Sequence, residues 1–60
     1  MLNHIQTIDG TYKRVNIYQN DFQEYVLRCF KDGIHIRVWN YHALTEVEAI
    51  QEAQDFLNTY

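Results

Sequence analysis

The sequence contains no serine, no proline, one cysteine and two glycines. Without serine there is no serine nucleophile. A lone Cys29 excludes an intramolecular disulfide. The glycines fall in separate turn-like places, Asp9-Gly10 and Asp32-Gly33, so there is no glycine-rich loop to cradle a phosphate. No apolar run is long enough to span a bilayer, and the first residues lack the basic and apolar blocks of a secretory signal. These absences lead us to expect a reducing cytoplasmic setting, or a virus or mobile element acting there. No linker, repeat or low-complexity stretch divides the chain, so residues 1–60 are expected to form one domain, and a chain opening on its own Met1 reads as a small complete gene product.

What is present is aromatic and unevenly charged. Five tyrosines, three phenylalanines and one tryptophan are a large load for 60 residues. A chain this short buries only about 60% of its unfolded surface, so some rings must lie outside, where aromatic residues mark contact sites. All five basic residues (Lys13, Arg14, Arg28, Lys31, Arg37) precede residue 38, whereas the last segment carries Glu46, Glu48, Glu52 and Asp55. Two surfaces of different sign are expected.

Asp32-Gly33 lies between the apolar-rich runs Tyr25–Phe30 and Ile34–Tyr41. Both residues tolerate positive φ, as a two-residue type I′ hairpin demands. The turn predicts Cys29 opposite Ile36, Leu27 opposite Val38 and Tyr25 opposite Asn40 on one face. On the other it predicts Phe30 opposite His35, Arg28 opposite Arg37, Val26 opposite Trp39 and Glu24 opposite Tyr41. Tyr12–Tyr18 is a second alternating run. Only an odd-length loop keeps Val15 and Ile17 on the face of Leu27 and Cys29, and Gln19-Asn20-Asp21 is the expected loop, with Asn20 or Asp21 in the left-handed region. Leu2, Ile5 and Ile8 are candidates to cover the core's edge, with Asp9-Gly10 as a turn.

After Tyr41 the apolar period lengthens. Thr45-Glu46-Val47-Glu48 has the form of a helix capping box. Val47, Ile50, Ala53 and Leu57, flanked by Ala49, Phe56 and Tyr60, predict an amphipathic helix. The expected fold is α+β: a three-stranded antiparallel meander with one C-terminal helix on the Val15/Leu27/Cys29/Ile36/Val38 face (β-β-β-α).

Catalytic and metal chemistry find no constellation. The register sends Cys29 into the core and His35 out of the opposite face, so the two cannot share a proton or a metal. His4, His35 and His42 read as polar side chains facing water, and Glu48, Glu52 and Asp55 as a solvated helix face. Neither an enzyme nor a cofactor is expected. The informative feature is the uncovered sheet face, with Arg14, Arg28, Arg37, Trp39, Tyr41, Phe30 and His35 as candidate partner-binding residues. Tyr12 and Val26 share that face. Tryptophan, tyrosine and arginine are the residues of interaction hot spots. Glu48, Glu52 and Asp55 form a secondary acidic surface. The plainer reading is that arginine stems simply cover the rings.

The run "EYVLRCFKDGIHIRVWNYH" leading into "TEVEAIQEAQDFL", from Phe22 to Leu57, resembles small bacteriophage and mobile-element proteins with a hairpin followed by an acidic helix. Several of that build are similar to anti-CRISPR inhibitors, which bind a defence complex and block target-DNA access or nuclease recruitment. The resemblance implies a non-enzymatic inhibitor that occupies a surface on a larger, nucleic-acid-binding protein complex. "YKRV", "EYVLRCF", "IRVWNY" and "LTEVEAIQEA" also resemble the sheet-plus-helix DNA-binding domains of ethylene-response factors and integrases. That resemblance implies Arg14, Arg28, Arg37 and Trp39 in the DNA major groove. The glycine those families place after the first Tyr-Arg is missing, and five cations against eight anions predict weak phosphate binding. A homodimer through the open face or an edge strand is a further expectation for so thin a core.

Overall fold

The structure, a computed structural model, describes residues 1–36 and 41–59. The chain runs through β1 (Asn3–Gly10), β2 (Lys13–Gln19), β3 (Tyr25–Lys31), β4 (Ile34–His35), β5 (Tyr41–Ala43) and α1 (Glu46–Thr59). The strands form one antiparallel sheet ordered β1-β2-β3-β4, with β5 also pairing β3. This is the expected α+β arrangement, enlarged by an N-terminal strand.

The Asp32-Gly33 turn is present as expected. Both residues have positive φ, 55° and 80°, and Lys31 pairs with Ile34 and Phe30 with His35. The Ile36 amide donates to the Cys29 carbonyl at 2.8 Å, in step with that register. Beyond Ile36 the register changes. Tyr25 pairs with Ala43 rather than Asn40, Val26 with His42 rather than Trp39, and Leu27 with Tyr41 rather than Val38. The second ladder is thus three residues out of step with the first. The expected pairing of Arg28 with Arg37 lies outside the described residues.

The β2–β3 loop is odd in length, as parity requires, but it runs over five residues, Asn20 to Glu24, between Gln19 and its partner Tyr25. Asn20 holds it open. Its side-chain oxygen accepts from the Phe22 and Glu24 amides at 2.9 and 3.0 Å, and its side-chain nitrogen donates to Glu24 at 3.1 Å. The left-handed residue is Gln23, φ 63°, rather than Asn20 or Asp21. Asp9 and Gly10 belong to β1. The turn falls one step on, at Thr11-Tyr12, where Tyr12 has φ 60°.

The helix starts at its predicted cap. Thr45 Oγ1 accepts from the Glu48 amide at 3.2 Å, and the Thr45 carbonyl accepts from Ala49 at 3.0 Å, worth about 1 kcal/mol. The buried stripe is Ala49, Ala53 and Phe56, flanked by half-buried Ile50 and Leu57. Val47, expected to lead it, is exposed; at 100° per residue it lies about 120° around the helix from Ala53. The stripe closes on Val15, Ile17, Leu27, Cys29 and Ala43, all at most 1% exposed. No basic residue stands in the helix's last turn. The sheet supplies the cation instead: Lys13 Nζ donates to the Leu57 carbonyl at 3.0 Å, where the helix dipole is negative. Nearby, a Cβ added to Gly10 would meet Leu57 Cδ2 at 2.9 Å, so this strand end and the helix end approach as closely as glycine allows.

Candidate interaction face

Residues paired across a sheet point to the same side, so the register orders the face away from the helix into rows. The first row is Asp9, Arg14, Phe30, His35; the second is Thr7, Asn16, Arg28; the third is His4, Tyr18, Val26, His42. Four of the expected site residues therefore assemble: Arg14, Arg28, Phe30 and His35. Arg37 and Trp39 lie outside the described residues. Tyr41 pairs with Leu27 rather than Glu24, so its register position falls opposite a core residue. The odd register shift accounts for this, since one step along a strand exchanges the two faces. Tyr12 stands in the turn, 79% exposed.

Side chains along and between these rows hold one another. Arg14 Nε donates to Asp9 Oδ1 at 2.6 Å. The Phe30 and His35 rings lie 5.1 Å apart. Thr7 donates its hydroxyl proton to Asn16 Oδ1 at 2.9 Å, which leaves His4 Nε2 as the donor in its 2.7 Å contact with Thr7. His4 meets Tyr18 edge-on at 5.6 Å, and Arg28 Cζ sits 5.3 Å from the same Tyr18 ring. A tyrosine ring under a guanidinium is worth about 0.5–1 kcal/mol at such exposed sites. Arg28 is thus propped over a ring while remaining exposed. At the hairpin end a shallow hollow opens between the two turns, lined by Asp9, Tyr12, Arg14, Asn16, Phe30 and Asp32. The Tyr12 carbonyl accepts from the Asp32 amide at 2.8 Å and ties the turns together.

His4, Thr7, Asp9, Asn16 and Tyr18 belong to this face but not to the sequence-derived set. Asn16 and Tyr18 share the parity of Arg14 and were open to the same argument. The β1 residues carried no usable signal, because a bulge between His4 and Gln6 breaks their alternation.

Cys29 lies on the opposite side, buried beside Val15 and Leu27, and burial pushes its thiol up to about 11. A thiol held neutral by burial is a poorer nucleophile than an exposed one. Among the described residues no three His, Cys, Asp or Glu side chains gather as a metal site. Glu48 and Asp55 are exposed on the helix and Glu52 is half-buried. No described helix is long and apolar enough to cross a membrane. No protein-family model, curated protein or solved structure matches this chain.

Proposed function

We propose that this domain is a non-enzymatic protein-binding module whose helix-free sheet face docks on a larger protein. In its most specific form it is a phage or mobile-element inhibitor that blocks a host defence complex by occupying a surface on it. The observation that carries the reading is the row structure on the face away from the helix. Arg14, Arg28, Tyr18, Phe30 and His35 share one face and are fixed by Asp9 and by one another before any partner arrives. Side chains ordered in advance lose little entropy on docking.

Sheet-face DNA binding is the second reading, favoured by a helix-backed antiparallel sheet with arginines on its open side. The charges on that face weigh against it. Asp9 is paired to Arg14, which leaves Arg28 as the one described arginine in the three rows without a carboxylate partner. Affinity for duplex DNA grows with the number of phosphates neutralised.

Capture from bacterial lysate with the tagged chain, quantified by mass spectrometry, tests the proposal. The double variant Arg14→Glu/Arg28→Glu is expected to lose about tenfold or more of the captured partner, a change of ~1.4 kcal/mol, while Glu48→Gln/Glu52→Gln retains it. Equal capture by the sheet-face variant refutes the assignment. A low-salt gel shift with random duplex DNA that vanishes in the same variant favours the DNA reading.

A further inference from the structure

The two lateral edges of the sheet are finished differently. On one side lie β4 and β5, of two and three residues. On the other lies β1, eight residues long and paired among the described residues only with β2. Short strands are a common way to blunt an edge, as are lysine and proline. β1 has neither residue, and from Asn3 to Ile8 it carries no Asp, Glu, Lys or Arg. Its blunting devices are the Asp9 charge, paired with Arg14, and the bulge between His4 and Gln6, which leaves Gln6–Gly10 in regular register with β2.

The turn settles which backbone groups face outward. A two-residue turn closes on a hydrogen-bonded pair, here Gly10 and Lys13, and such pairs alternate along an antiparallel ladder. Gly10, Ile8 and Gln6 therefore spend their backbone groups on β2, and Thr7 and Asp9 turn theirs to the open edge. The Tyr12 carbonyl, on β3's side of the next residue pair, accepts from Asp32 as this alternation requires. The helix packs mainly on β2, β3 and β5 and reaches β1 at Gly10, where Leu57 lies against it, so Ile8 sits half-buried against the core at its β1 rim.

We propose that a second copy of this chain pairs along the β1 edge, antiparallel about a two-fold axis through Ile8. Thr7 of each copy then exchanges both backbone hydrogen bonds with Asp9 of the other. Ile8 meets its own symmetry mate as the intervening non-hydrogen-bonded pair, where side chains approach most closely. The contact is isologous, so it closes at two copies. It completes the apolar rim with the same residue from each side, and Asp9 enters already neutralised by Arg14. The two open faces then lie side by side as one continuous surface. The pairing does not depend on what that surface binds.

Sedimentation equilibrium between about 10 µM and 1 mM, the range of a modest self-affinity, is expected to give twice the 7.3 kDa chain mass. Thr7→Pro removes an outward amide and no β1–β2 bond, a place where edge strands accept proline. It is expected to give a folded monomer by circular dichroism, whereas Thr7→Val, which keeps the amide, stays dimeric. Should Thr7→Pro fail to fold, Ile8→Cys decides: on mild oxidation it is expected to form a cross-linked dimer at least tenfold faster than Thr11→Cys in the exposed turn. A wild-type mass of 7.3 kDa throughout, a folded Thr7→Pro dimer, or no excess cross-linking at Ile8→Cys overturns the proposal.

Discussion

The two faces of the sheet are held in different ways. Toward the helix lie Val15, Ile17, Leu27, Cys29, Ala43, Ala49, Ala53 and Phe56, apolar and closed to solvent, and no buried polar side-chain atom among the described residues lacks a partner. Away from it, polar, charged and aromatic side chains are tied across strands by an ion pair, one hydrogen bond and ring contacts, with a second hydrogen bond, His4 to Thr7, inside β1. The closed face supplies stability through area removed from water. The open face supplies order, because exposed pairs of this kind contribute little free energy but fix geometry. On the proposed reading, a domain of 60 residues keeps the helix-free side of its sheet for recognition.

Substitutions that act on one face only sharpen this contrast. The largest expected effect is Phe56→Ala, which empties the centre of the closed face and should cost about 3–5 kcal/mol in urea unfolding. Alkaline pH comes next. The Cys29 thiol is raised from 9.0 to about 11 in the fold, so between those values the unfolded chain loses its proton while the native chain keeps it. Stability therefore falls as pH rises from 9.0 toward 11, by about 2–3 kcal/mol in all. Cys29→Val should flatten that part of the pH profile. Thr45→Ala removes the helix cap and should cost about 1 kcal/mol, read as a lower unfolding midpoint with unchanged slope. Smallest is the Asp9–Arg14 pair: a double-mutant cycle should return less than about 1 kcal/mol of coupling. A large coupling there would mean that the open face carries stability after all.

Much of the closed face was legible because strand parity and helix spacing are rigid rules. Asp32-Gly33 fixed one hairpin, odd-loop parity put Val15 and Ile17 beside Leu27 and Cys29, and Thr45 marked the helix start. The open face was less legible because it depends on absolute register. A five-residue loop built on Asn20's side chain preserves parity yet slides Val15 opposite Cys29. The offset between the β4 and β5 ladders on β3 left no mark that turn chemistry could read. Strand β1 was hidden by the bulge beside Ile5, and with it went Thr7, Asp9 and His4. Val47 was misplaced because a helical stripe can be drawn through either shoulder of an amphipathic face until a sheet chooses one.

The three histidines offer the most direct test, since His4, His35 and His42 all stand in the open-face rows while Glu46 and Glu48 mark the helix side. Histidine carbethoxylation and carbodiimide labelling of carboxylates, with and without the captured partner, read both surfaces in one experiment. Partner binding is expected to protect the histidines and leave Glu46 and Glu48 labelled as before. Protected helix carboxylates with unchanged histidine labelling would contradict the assignment of recognition to the open sheet face.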